Sequence, residues 1–194
     1  MLPPFLCSKI LPMKYRHITF LTEEKLTGKQ RAQVNVYMLI STLATAVLAV
    51  ALIITLLFKL ATVDGTSMNP TLEDGDHLLI SSWSTDYERG DIVVIGYPSD
   101  TTLIKRVIAV AGDTIDFDFT AGEVYLNGQL LNEPYIKEAT HLWYVDGPTF
   151  PLTVPEGYVF VMGDNRNNSL DSRSGQVGLV NVQSILGKSE AKLF

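Results

Sequence analysis

Thr101–Val110 reads TTLIKRVIAV: two adjacent cations, Lys105 and Arg106, inside a run that is otherwise β-branched or aliphatic. In a strand, alternate residues share a face. Lys105 then faces with Leu103, Val107 and Ala109, and Arg106 faces with Ile104 and Ile108. The two cations point opposite ways, so both cannot be simple surface residues if either face is buried. Spacing alone admits two readings. In the first, one or both cations snorkel to water along their aliphatic stems. In the second, one is held deliberately in an apolar pocket.

Working outward, the same short, turn-punctuated pattern continues. His77–Ser82, Asp91–Tyr97, Thr102–Val110, Thr114–Phe119, Glu123–Leu126, Tyr158–Met162 and Gly178–Val182 read as strands. Asn127-Gly128 tolerates positive φ at both positions and predicts a hairpin into Gln129–Leu131. Residues 132–155 carry no regular pattern, and helical periodicity is scarce. Arg89-Gly90-Asp91 reads as a turn launching IVVIGY rather than as an adhesion tripeptide. The fold class expected for residues 59–194 is mostly β, a sheet or barrel-like domain.

Upstream the chemistry changes. Val34–Phe58, VNVYMLISTLATAVLAVALIITLLF, holds no Asp, Glu, Lys, Arg or His. As a helix it spans roughly 37 Å, enough to cross a hydrocarbon core of about 30 Å with some tilt. Residues 1–33 carry a net charge of +4 and residues 59–194 a net charge of −10, which together give the chain its −6. Lys25, Lys29 and Arg31 precede the span closely, whereas after Lys59 no cation follows until Arg89. The excess of cations before the span predicts a single-pass chain with its N-terminus (1–33) in the cytoplasm, a transmembrane helix (34–58), and an extracytoplasmic domain (59–194). Trp83 and Trp143 read either as anchors at the lipid interface or as core residues. The acidic outer domain argues against nucleic acid as a partner. One cysteine, Cys7, precludes an internal disulfide, and no Cys/His spacing suggests a metal. No cofactor is expected.

Just past the span, Asp64–Asp76 reads DGTSMNPTLEDGD and puts Ser67 in a tight turn. A nucleophilic serine needs a base. His17 lies before the span, His77 at a strand start and His141 in the irregular stretch, and no G-x-S-x-G elbow is present. Lys105 offers another route. An ordinary lysine, of pKa about 10.4, is neutral in only about one molecule in 2,500 at pH 7. Burial lowers that pKa by up to several units and makes the amine a competent general base, and serine–lysine pairs are a known form of nucleophile activation.

Four blocks then stand in order behind the span: GTSMNPTL (65–72), RGDIVV (89–94), LIKRVIAVAGD (103–113) and GDNRNNSLDSR (163–173). Together they resemble the type I bacterial signal peptidases, in the single-anchor form typical of Gram-positive bacteria. The resemblance covers most of residues 64–188 and leaves out the first 33. It implies that Ser67 is the nucleophile, Lys105 the general base, and Ser169 a hydrogen-bond partner that orients the lysine amine. It further implies that Asp164, Arg166, Asp171 and Arg173 form carboxylate–guanidinium pairs that hold the loop beside the site. The Ser67 backbone N–H is the expected oxyanion donor. Some relatives carry a serine two places before the nucleophile whose hydroxyl is a second donor; here Gly65 stands there, leaving water or Thr66 to supply it.

The expected activity is removal of signal peptides from exported preproteins by a membrane-bound endopeptidase. Its implied partners are those signal peptides and membrane lipid, acting on a monomeric enzyme in the bacterial cell membrane. Two alternatives belong to other classes: an extracytoplasmic β-domain with a structural or adhesive role, and a self-cleaving Ser–Lys protease of the repressor type. The latter would carry a DNA-binding N-terminal domain where this chain carries an apolar span.

Overall fold

A computed structural model of the chain describes residues 27–83, 86–97 and 101–194. Cys7, Lys14, Arg16, His17 and Lys25 lie outside the described residues, as does most of the expected cytoplasmic tail.

Helix α1 covers Gly28–Leu57. Its segment Ala32–Leu57 has a mean hydropathy of 2.5 and is buried nowhere, and it is long and apolar enough to cross a membrane. The hydroxyls of Ser41, Thr42 and Thr45 are satisfied within the helix. Thr42 Oγ1 donates to Met38 O at 2.7 Å, and Thr45 Oγ1 donates to Ser41 O at 3.0 Å. That is the arrangement an apolar solvent demands of a hydroxyl. The chain divides into a unit ending at Leu52 and a second from Ile53 to Phe194.

Within the second unit the helix passes directly into β1 (Phe58–Thr62). Phe58, expected to close the apolar helix, is instead the first strand residue. Its ring meets Trp83 edge-on at 4.8 Å. Ten further strands follow: β2 (His77–Ser81), β3 (Ile92–Tyr97), β4 (Thr101–Ala109), β5 (Thr114–Asp118), β6 (Glu123–Leu126), β7 (Gln129–Leu130), β8 (Leu152–Thr153), β9 (Tyr158–Met162), β10 (Val180–Asn181) and β11 (Ile185–Lys192). They form a seven-stranded sheet in the order β1-β2-β11-β3-β4-β9-β10 and a four-stranded sheet in the order β7-β6-β5-β8. All pairings are antiparallel. The mostly β expectation stands. The predicted hairpin forms at Asn127 (φ 53°) and Gly128 (φ 77°). Trp83 and Trp143 are both exposed, so the reading of them as core residues is wrong.

Strand β4 explains the two cations of the opening stretch. Leu103 and Val107 pack in one apolar cluster with Val93, Ile95 and Val161, while Ile104 packs in another with Met68, Leu78 and Val94. Both faces of β4 are covered, and Lys105 and Arg106 are both buried, so neither snorkels to water. The predicted alternation holds only to Val107. There the pairing with β9 skips a residue, from Val107↔Val161 to Ala109↔Phe160. Ile108 and Ala109 therefore both enter a third cluster, with Phe160, Met162, Ile115 and Val124, which joins the two sheets. Ala109 does not share the lysine's face as the simple alternation has it.

Candidate active site

The turn that carries Ser67 is fixed by apolar anchors on either side. Val63, Met68 and Leu72 all bury into the cluster built on β2, β3 and β4. Each such side chain contributes about 1.5–3 kcal/mol on leaving water, which is ample to hold a short turn in one place. Gly65 has φ +87°, a left-handed conformation that a side chain would strain. Its N–H donates to Asp74 Oδ1 at 2.8 Å, closing the loop on itself.

Lys105 comes to this turn from β4. Its Nζ lies 2.8 Å from Ser67 Oγ and donates to Ile104 O at 2.9 Å. The lysine is 3% exposed. Burial drives its pKa down from 10.5 to about 8, with Asp171 and Asp164 pulling weakly the other way. A neutral amine has two N–H bonds and one lone pair. Ile104 O takes one N–H, and the lone pair is left for the proton of Ser67.

The loop Gly163–Arg173 packs against the same turn. Gly163 is required there by size: a Cβ on it would run into both Ser67 O and Ser169 Oγ. Asn165 donates its backbone N–H to Ser67 O at 3.0 Å and its Nδ2 to Thr66 O at 2.9 Å. Arg173 grips Asp171 in a bidentate pair, Nε to Oδ1 and Nη2 to Oδ2, both at 2.9 Å and both side chains fully buried. Asp171 Oδ2 also accepts from Gly163 N at 3.0 Å.

The family model described as "Signal peptidase, peptidase S26" matches residues 36–194. This chain belongs to that family. Among its signal peptidase relatives, the signal peptidase I of Bacillus licheniformis is 37% identical over 183 residues, covering 90% of this chain and 95% of the relative. Signal peptidase I T of Bacillus subtilis (strain 168) is 38% identical over 187 residues, covering 90% and 95%. A signal peptidase I of Bacillus amyloliquefaciens is 40% identical over 160 residues, covering 76% and 81%. A crystal structure of a signal peptidase I from Enterococcus faecalis aligns at 30% identity and a TM-score of 0.42, over 53% of this chain and 96% of that one.

In this signal peptidase the charge pairing departs from the one expected in two places. Asp164 pairs with Arg106, at 2.9 Å to Nε and 2.6 Å to Nη2, and also accepts from Thr71 Oγ1. Arg166 pairs with Glu133, at 2.6 and 2.8 Å. Of the pairs sought within Asp164, Arg166, Asp171 and Arg173, only Asp171–Arg173 forms; the other two reach out to β4 and to the irregular stretch. Arg106 and Glu133 are therefore residues that sequence reasoning missed. For Arg106 a signal was present, since a buried guanidinium demands a carboxylate. Tyr135 fills the space between the pairs, with Arg106 Cζ 4.2 Å from its ring centre.

Ser169 also differs. Its hydroxyl is buried beside Gly163 but makes no hydrogen bond among the described residues, and Ile104 O takes the amine instead. The two described histidines pair elsewhere. His77 Nδ1 pairs with Thr62 Oγ1 and His141 Nδ1 with Phe119 O, each at 3.0 Å. Thr66 Oγ1 accepts from Asn168 Nδ2 at 3.1 Å.

Proposed function

We propose that this chain removes signal peptides from exported preproteins, with Ser67 as nucleophile and Lys105 as general base. The observation that carries the reading is the 2.8 Å approach of a buried lysine amine to the serine hydroxyl in a signal peptidase chain. With a pKa near 8, about one lysine in ten is neutral at pH 7, roughly 200 times the fraction of an ordinary lysine.

Ser67 Oγ attacks the scissile carbonyl as its proton passes to Lys105 Nζ. The tetrahedral oxyanion is met by the Ser67 N–H, which donates to nothing else among the described residues. The ammonium of Lys105 then gives the proton to the leaving amine, and an ester on Ser67 remains. Water, deprotonated by the same lysine, releases it. Asp171–Arg173 and Asp164–Arg106 fix the loop and β4, keeping the lysine and serine in register. No metal or organic group takes part.

The substrate is an extended peptide with small side chains at alternate positions before the cut, emerging from the lipid. The N-terminus is cytoplasmic, α1 spans the cell membrane once, and the β unit is extracytoplasmic and monomeric. The charge asymmetry across the span supports that orientation.

The test is cleavage of a preprotein in detergent by Ser67→Ala and Lys105→Ala chains. Both fold and neither cleaves. Activity retained in Lys105→Ala, together with loss in His77→Ala or His141→Ala, would assign the base elsewhere.

A further inference from the structure

The oxyanion donor needs an aim, and the turn geometry alone does not supply one. Gly65 has no hydroxyl, and its N–H is already committed to Asp74 Oδ1. The Ser67 N–H stands alone, on a peptide that sits in a partly exposed, glycine-led turn. The Thr66–Ser67 peptide is trans, and a peptide is planar, so its C=O and N–H point in opposite directions along one rigid unit. Whatever holds Thr66 O therefore sets where the Ser67 N–H points.

Two donors hold it: Asn69 N, from within the turn, at 3.2 Å, and Asn165 Nδ2, from across the site, at 2.9 Å. Asn165 also holds the next carbonyl, Ser67 O, through its own N–H at 3.0 Å. One residue thus grips the peptide planes on both sides of the nucleophile, and it is only 2% exposed. Its amide suits the place. It donates toward a carbonyl without adding charge beside a lysine that must lose its proton. A donor on the carbonyl also polarises the attached N–H and strengthens it.

We infer that Asn165 is the positioning residue for the oxyanion: its amide, anchored on Thr66 O, aims the Ser67 N–H at the developing negative charge. This rests on Ser67 being the nucleophile. It places Asn165 on the transition state and not on the base, which separates it from a residue that merely staples the loop to the turn.

Asn165→Ala keeps the backbone bond to Ser67 O and removes only the amide. In the full-length enzyme in detergent, kcat on a signal-peptide substrate falls about 10- to 100-fold while KM stays within about 3-fold. The acid limb of the rate profile stays where the parent has it. A peptide aldehyde, which forms a tetrahedral adduct on Ser67, loses affinity by the same factor as kcat/KM. A peptide made uncleavable by proline after the cut keeps its affinity. Asn165→Leu holds the volume and the backbone bond without adding charge beside Lys105, and it carries the same comparison should the alanine chain fail to fold. An unchanged kcat, an acid limb that moves, or equal loss of aldehyde and uncleavable peptide overturns the inference, as does failure of both chains to fold. Cleavage by Ser67→Ala or Lys105→Ala would instead strike the underlying reading. Inactive Ser67→Ala and Lys105→Ala beside a normal Asn165→Ala would strike this inference alone.

Discussion

At the scale of the residue, Lys105 sets two opposite demands. Catalysis wants the amine neutral; stability is penalised by burying it charged. Its folded pKa, about 8, lies below the 10.5 of the unfolded chain. The penalty is therefore complete below pH 8 and is lost as pH rises to about 10.5. Lys105→Met should abolish cleavage yet stabilise the enzyme by up to about 3 kcal/mol at pH 7, and denaturant titrations should show that gain vanish by about pH 10.5. The parent's kcat/KM should rise with pH to a plateau above about 8, standing at pH 6 about 100-fold below it. A profile flat down to pH 5 contradicts a lysine base. Gly163 makes a second demand at this scale, for space. Gly163→Ala should cut activity by more than about 100-fold and cost about 1–3 kcal/mol, since its methyl would meet Ser67 O and Ser169 Oγ at once; paired activity and melting measurements check both.

At the scale of the element, the pair Arg106–Asp164 ties β4 to the loop under the nucleophile. Both side chains are buried, so Asp164→Asn leaves a guanidinium with too little charge to balance it, and equilibrium unfolding should show a loss of about 3–5 kcal/mol. Strand legibility followed from the same chemistry. β2, β3, β4, β5, β6 and β9 carry β-branched runs and were readable to within a residue or two. β1 was hidden because Phe58–Thr62 continues the apolar composition of α1 with no turn between them. β11, ILGKSEAK, was invisible because half of it is polar and it carries no β-branched run, although it lies inside the sheet between β2 and β3. Its charges are spent on neighbours: Lys188 on Asp91 at 2.7 Å, Lys192 on Asp76 at 2.6 Å, and Glu190 on Ser81 Oγ at 2.6 Å. Ser67 and Lys105 were readable because a turn serine and a lysine in an apolar strand are each anomalous. The partners of Asp164 and Arg166 were not, because ion pairs across 58 and 33 residues leave no local trace.

At the scale of the whole molecule, charge and hydropathy divide the chain before any contact does: a basic leader, an apolar helix, an acidic β unit. On the proposed orientation, with the cationic leader cytoplasmic, protease added to intact cells whose outer layers are removed should digest the β unit and spare residues before α1. Replacing Lys25, Lys29 and Arg31 with Gln should lower the fraction so oriented. The acidic unit also keeps its polar interior in buried pairs rather than on a basic surface.

The position of β11 has a consequence for how such a chain matures. Its neighbours β2 and β3 are encoded about a hundred residues earlier, and just beyond it Phe194 O accepts from His77 N at 2.8 Å. The gap between those strands stays open until β11 has been made and, with the β unit extracytoplasmic as proposed, has crossed the bilayer. On the proposed orientation, a chain stalled in export lacks the strand that joins β2 to β3, so the sheet that carries Lys105 is completed only once passage is over.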